Sequence, residues 1–208
     1  MKRFVLMAAL LGAVAALLVW IFRSPSYTNF PPKSGTTWVA LGDSLTAGLG
    51  ASPGSDYPAL LGKELGIPIL NAGVPGNTTQ DGLERIEEII RLNPKVVLVC
   101  LGGNDGLRGV PADQTFQNLG TIIDRLHQSG AFVVLIGIRS VSLFDKNENR
   151  FRQLAKEKKV FYVADILRGV LGNSRLMFDQ IHPNDEGYAA ITQRLEKELG
   201  RLLDQLGQ

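Results

Sequence analysis

Val96-Val97-Leu98-Val99-Cys100-Leu101 is apolar at every position. A strand with one wet face would alternate, so this run predicts a strand covered on both sides. Other runs repeat the pattern: Trp38 to Leu41, Ile67 to Leu70 and Phe132 to Ile138, with a further short strand at Phe161 to Val163. Between them, apolar residues recur at helical spacing. Tyr57 to Leu65 reads as a helix. Leu83, Ile86, Ile89 and Ile90 form a stripe that Thr78 or Thr79 can cap and that Pro94 ends. Phe116, Leu119, Ile122, Ile123 and Leu126 mark another helix, stopped by Gly130. A weaker helix lies near Glu148 to Lys158, and Tyr188, Ile191, Leu195, Leu199 and Leu202 mark the last. Strands alternating with helices predict parallel βαβ units in an open three-layer α/β domain over residues 37–208.

The N-terminus differs from everything after it. Phe4 to Phe22 is an unbroken apolar run of 19 residues, preceded by Lys2 and Arg3 and followed by Arg23. As a helix it is about 28 Å long, close to a hydrocarbon core of about 30 Å. Ala13-Val14-Ala15 fits a cleavage pattern but sits mid-run, and Trp20 near its end suits an interfacial anchor. Residues 1–23 are therefore expected to be a transmembrane anchor, or else a cleaved signal, with a buried core helix as the remaining alternative. Lys2 and Arg3 favour a cytoplasmic N-terminus and an extracytoplasmic domain, anchored in the inner membrane or, after cleavage, secreted or periplasmic. Ser24 to Thr36, with Pro25, Pro31, Pro32 and Gly35, reads as a linker.

That segment also explains the charge. The chain has a pI of about 8.7 and 22 basic against 20 acidic residues. Residues 1–23 hold three of the bases and no acid, so the remainder is nearly neutral. No nucleic-acid partner is expected. Cys100 is the single cysteine, which excludes an internal disulfide and cysteine-rich zinc sites.

Ligands of open α/β sheets sit beyond the carboxyl ends of the strands. Four of those loops carry distinctive clusters: Gly42-Asp43-Ser44-Leu45, Asn71 to Asn77 with Gly76, Gly102-Gly103-Asn104-Asp105, and Asp179-Gln180-Ile181-His182-Pro183. Acyl transfer needs this set. A serine hydroxyl is a weak nucleophile until a base removes its proton, and histidine has a suitable pKa. A carboxylate fixes the imidazole tautomer, and preplaced N–H donors hold the oxyanion. Ser44, His182 and Asp179 supply the first three roles; the Ser44 N–H, the Gly76 N–H and the Asn104 side chain supply the donors. Each has a plainer reading alone: Ser44 as a helix cap, Gly76 as a turn residue, Asn104 as a loop brace, Asp179 and His182 as a surface pair. Their joint placement favours one site. Asp43 and Asp105 read as structural, His127 as solvated, Cys100 as a buried residue, and Arg108 as a loop cation that can reach substrate.

These blocks resemble the GDSL, or SGNH, hydrolase family. Gly42-Asp43-Ser44-Leu45 matches its first block, Gly76 its second, Gly102-x-Asn104-Asp105 its third and Asp179-x-x-His182-Pro183 its last, over about Trp38 to Gln205. The resemblance implies a flavodoxin-like three-layer α/β/α sandwich with a mostly parallel sheet of about five strands. It also implies Ser44 as nucleophile, His182 as base, Asp179 as its partner, and an oxyanion hole of Ser44, Gly76 and Asn104, with no metal or organic cofactor. Gly102 to Gly109 resembles the subgroup of multifunctional acyl-thioesterases, arylesterases and lysophospholipases. That subgroup's Ile-Arg-x-Pro-x-Asn-Tyr-Gly segment is here Ile138-Arg139-Ser140-Val141-Ser142-Leu143-Phe144, so acyl-length preference does not carry over.

A serine esterase acting on a small ester or a lysolipid is expected, as a monomer, with a tether keeping the site near lysolipids. The alternatives are an O-acetyl esterase or acyltransferase acting on cell-surface carbohydrate, a metal-dependent hydrolase using Asp43, Asp105, Asp179 and His182, and a non-catalytic binding domain.

Overall fold

The structure, a computed structural model, describes residues 26–138 and 147–203. The apolar run Phe4 to Phe22 and the departing segment after Arg139 lie outside the described residues. Five strands form one parallel sheet: β1 (Thr37–Gly42), β2 (Ile69–Gly73), β3 (Pro94–Cys100), β4 (Phe132–Ile136) and β5 (Phe161–Val163), in the order β2-β1-β3-β4-β5. The chain moves outward from β1 to β2, then returns across β1 to β3. This reversal opens a crevice between the carboxyl ends of β1 and β3, the usual ligand position in such sheets.

The helices are α1 (Ser44–Ala47), α2 (Tyr57–Leu65), α3 (Thr79–Glu84), α4 (Ile86–Arg91), α5 (Gly103–Leu107), α6 (Ala112–Gln128), α7 (Asn147–Lys158) and α8 (Asp185–Leu203). Alternate strand residues feed two cores. Trp38, Ala40, Leu98 and Val134 pack with Tyr57 and Leu61 of α2 and Tyr188 and Leu195 of α8. Val39, Leu41, Val97 and Val133 pack with Ile86 of α4, Leu119 and Ile122 of α6 and Phe151 of α7. Burying each such side chain contributes roughly 1.5–3 kcal/mol.

Four expectations differ from the structure. The helix expected across Leu83 to Ile90 is broken at Arg85 (φ −100°, ψ 12°). There the Arg85 guanidinium turns toward the sheet: Nε donates to Asn77 Oδ1 at 2.8 Å, and Nη2 donates to the carbonyls of Gly42 at 3.0 Å and Ala72 at 2.9 Å. Strand β2 runs on through Asn71-Ala72-Gly73, which the sequence suggested as turn. Backbone pairing with Ala40, Leu41 and Gly42 sustains it. Residues 26–36, expected as linker, lie against the body. Tyr27 and Phe30 pack on the first core, and Asn29 Nδ2 donates to the carbonyls of His127 and Ala131. His127, expected to be solvated, is half-buried; its Nε2 has no partner among the described residues, and burial lowers its pKa.

Candidate active site

β1 ends in Gly42, where a Cβ would overlap the Thr46 hydroxyl, so only glycine lets α1 start this close to the strand. Asp43 caps α1 by accepting the Leu45 N–H at 3.0 Å. The cap role therefore belongs to Asp43, and Ser44 is the first helical residue. Its N–H precedes the helical ladder and donates to no described residue.

The other half comes from the irregular stretch before α8. Ser44 Oγ lies 3.1 Å from His182 Nε2, and His182 Nδ1 lies 2.8 Å from Asp179 Oδ2. The other carboxylate oxygen, Asp179 Oδ1, accepts the Ile181 and His182 N–H groups, each at 2.7 Å. Asp179 thus shapes the turn that presents His182 and orients its ring. The His182 side-chain hydrogen bond, then the two backbone N–H groups, hold the Asp179 carboxyl down at about 2. A proton from the serine hydroxyl has a direct route to an imidazole already oriented for it.

Gly76 and Asn104 come to the same edge. Gly76 has φ 83°, a conformation that favours glycine, and its N–H donates to no described residue. The Gly76 carbonyl accepts Arg108 Nη2 at 2.8 Å, so Arg108 braces this loop. Asn104, the second residue of α5, donates through Nδ2 to Asp43 Oδ2 at 3.2 Å and to the Asn77 carbonyl at 3.0 Å. Asp105 is buried and accepts the Thr79 N–H and the hydroxyls of Thr79 and Thr115, tying α3 to α6. It is structural, as expected. Cys100 is fully buried, and burial pushes its thiol well up, leaving it no nucleophilic role. Among the described residues no group of three or more His, Cys, Asp or Glu side chains forms a metal cluster.

Sequence reasoning missed Arg85 and assigned Asn77 no role of its own. Together they clamp the carboxyl ends of β1 and β2, and the Asn77 carbonyl in turn holds Asn104. The available signal was position: Arg85 stands three residues after Gly82 and four before Ile89, both buried.

An apolar cleft opens beside Ser44. Its walls include Leu107, Phe116, Ile138 and Phe151, with Leu167 and Leu171 from the stretch before α8. Leu107 and Ile181 line the cleft and stand exposed at its mouth.

Burial pushes the Asp43 carboxyl up to about 6, against about 4 in an unfolded chain. Between these values the folded state keeps a proton that the unfolded chain has released. The stabilising contribution is therefore full below about pH 4 and is lost as pH rises through about 6. Asp43→Asn removes the titration. From about pH 4 to 7, wild type is expected to lose roughly 2–3 kcal/mol relative to the variant, read as diverging urea midpoints. A pH-independent difference would mean that Asp43 stays ionised throughout.

The sheet order, the serine in its first loop and the histidine before the last helix define a serine hydrolase of the α/β/α type. Residues 40–190 match the GDSL-like Lipase/Acylhydrolase family, and the chain belongs to that family. It is 33% identical over 185 residues to the "Thioesterase 1/protease 1/lysophospholipase L1" of Escherichia coli (strain K12), covering 85% of this chain and 89% of that protein. It is 31% identical over 173 residues to an arylesterase of Vibrio mimicus, covering 77% and 86%. The psychrotrophic esterase EstA from Pseudoalteromonas sp., in a structure inhibited by monoethylphosphonate, superposes with a TM-score of 0.75 at 25% identity, covering 81% of this chain and 98% of that one. The chain is a GDSL-type ester hydrolase.

Proposed function

We propose that Ser44 is the nucleophile, His182 the general base and Asp179 its orienting partner. The observation that carries this is the continuous contact from Ser44 Oγ through the His182 ring to Asp179, at the sheet's reversal and beside an apolar cleft. His182 Nε2 takes the hydroxyl proton as Ser44 Oγ attacks the ester carbonyl. The Ser44 and Gly76 N–H groups and the Asn104 amide then hold the oxyanion, with Asn104 exchanging its bond to the Asn77 carbonyl for one to the new charge. His182 gives its proton to the leaving alcohol. Water enters, loses a proton to His182 and attacks the acyl carbon; the bond from that carbon to Ser44 Oγ then breaks, His182 returns the proton to Oγ, and the acid leaves.

The cleft walls suit an apolar acyl group, and the exposed mouth suits an amphiphile. The substrate class is therefore a carboxylic ester of the lysophospholipid or aryl ester kind, in keeping with what the relatives' names say of those proteins. Residues 1–23 act as membrane anchor or signal, 24–36 as the connecting strap and 37–208 as the hydrolase domain, on the extracytoplasmic side. No helix among the described residues is long and apolar enough to cross a membrane.

The full chain in detergent is expected to hydrolyse p-nitrophenyl esters at a rate that chelator leaves unchanged. Esters of medium acyl chains should exceed acetate in kcat/KM, since each buried methylene contributes about 0.8 kcal/mol. Activity confined to acetylated sugars would replace this substrate class with the carbohydrate one, and loss in chelator would overturn the serine mechanism.

A further inference from the structure

The chain enters the domain at the pole opposite Ser44. The Tyr27 ring packs edge-on against Phe132 and Phe161, the first residues of β4 and β5. The Thr28 N–H donates to the Lys159 carbonyl at 2.8 Å, and Asn29 Nδ2 donates to the carbonyls of His127 at 2.9 Å and Ala131 at 3.0 Å. Every partner is the first residue of a strand or precedes one, so the strap is fixed to the amino-terminal edge of the sheet. Ser44 and His182 stand at the carboxyl edge. The six-residue strand β1 alone separates the two by about 17 Å, and the loops at either end add to that.

Little chain remains to change that orientation. Phe22 to Tyr27 is five steps, at most about 17 Å when fully extended. This matches the strand alone and falls short once the loops at either end are added. A membrane segment ending at Phe22 cannot lead the chain along the domain's flank and turn the mouth back toward the bilayer.

Charge points the same way. Among the described residues, the segments entering the strands bring Lys33, Lys95 and Lys159 to this edge and no acid. The helices closing there add Lys63, Arg91, Arg125, Lys156 and Lys158 against Glu64, Glu88 and Glu157, with Arg125 paired to Glu87 and Lys158 to Asp124. The mouth edge carries Asp179 and the first-turn acids Asp113, Glu148, Asp185 and Glu186, interspersed with Arg108, Arg150 and Arg175, and Arg150 pairs with Asp113.

The geometry points to a domain seated by its amino-terminal pole on an anionic lipid surface, with the catalytic mouth directed away from the bilayer that holds Phe4 to Phe22. This rests on reading that segment as a retained anchor. Each lysine against such a surface strengthens attachment about fivefold. The substrate is then an acylated amphiphile arriving from the aqueous side or from a facing surface. The tether does not keep the site near the lysolipids of its own membrane, contrary to the first expectation.

The test uses the full chain in vesicles of phosphatidylglycerol and phosphatidylcholine that carry headgroup nitroxides. Fluorophores are placed at Ser34→Cys on the strap and at Gln180→Cys beside the mouth; Cys100 is buried and will not react. Quenching is expected to be several-fold stronger at position 34. Lysolipid embedded in the same vesicles should be hydrolysed several-fold more slowly than lysolipid supplied from separate micelles. Equal or stronger quenching at position 180, or faster turnover of embedded lysolipid, overturns the orientation. A chain that does not float with the vesicles yet cleaves a soluble p-nitrophenyl ester overturns the anchor and leaves the serine chemistry standing. A floating chain without esterase activity counts against the Ser44 mechanism, and its quenching ratio still decides the orientation.

Discussion

Ser44→Ala is expected to lower kcat/KM for p-nitrophenyl esters by between about 10⁴- and 10⁶-fold, the range seen when a nucleophile is removed from a working triad. The size follows from what Ser44 supplies. In the proposed mechanism its oxygen forms the acyl-enzyme bond, and its hydroxyl is the one hydrogen-bond partner of His182 Nε2 among the described residues. The variant loses one oxygen from a nearly buried position and keeps the backbone N–H that starts α1, so folding should be preserved. Residual rate should come from the oxyanion donors alone. A folded Ser44→Ala that keeps more than about a hundredth of the activity would place the nucleophile elsewhere.

Asp179→Asn should give the second-largest loss, about 10³-fold. The asparagine Oδ1 can still accept the Ile181 and His182 N–H groups, so the turn survives. Its amide, however, donates toward His182 Nδ1 where the carboxylate accepted. The ring proton then moves to Nε2, which faces Ser44 Oγ as a donor and cannot take its proton. The loss is set below the value for a fully enclosed aspartate because the Asp179 side chain is 44% exposed and water can partly replace it. Combining Asp179→Asn with Ser44→Ala should add little to Ser44→Ala alone, since the residues act as one unit. Multiplying losses in the double variant would separate Asp179 from the serine step.

The parts of the fold legible in the sequence were those with strong periodicity. Val96 to Cys100 and Phe132 to Ile136 lie in central strands, so burial on both faces wrote an unbroken apolar signature. Strand β2 lies at the sheet's edge, where Leu70 is exposed and Asn71 to Gly73 are held by backbone bonds; side-chain chemistry there carries no strand signal. The same limit hid the break at Arg85. It is fixed by carbonyls of Gly42 and Ala72 that are distant in sequence, and no local pattern reports a tertiary acceptor. Ser44, Asp179 and His182 were legible because reaction chemistry restricts which residue types can fill each role. Asp43 as cap and Arg108 as brace were not separable from rival roles, because a carboxylate or a guanidinium serves a backbone group as readily as a ligand.

The cleft draws two of its wall residues, Phe116 and Phe151, from α6 and α7, while the reacting groups come from the loops after β1 and before α8. Selectivity and reactivity are therefore inherited separately. Drift in the two helices can retune which acyl group is accepted while the proton path stays intact, and a single ancestral reaction can be redirected to new esters without being rebuilt.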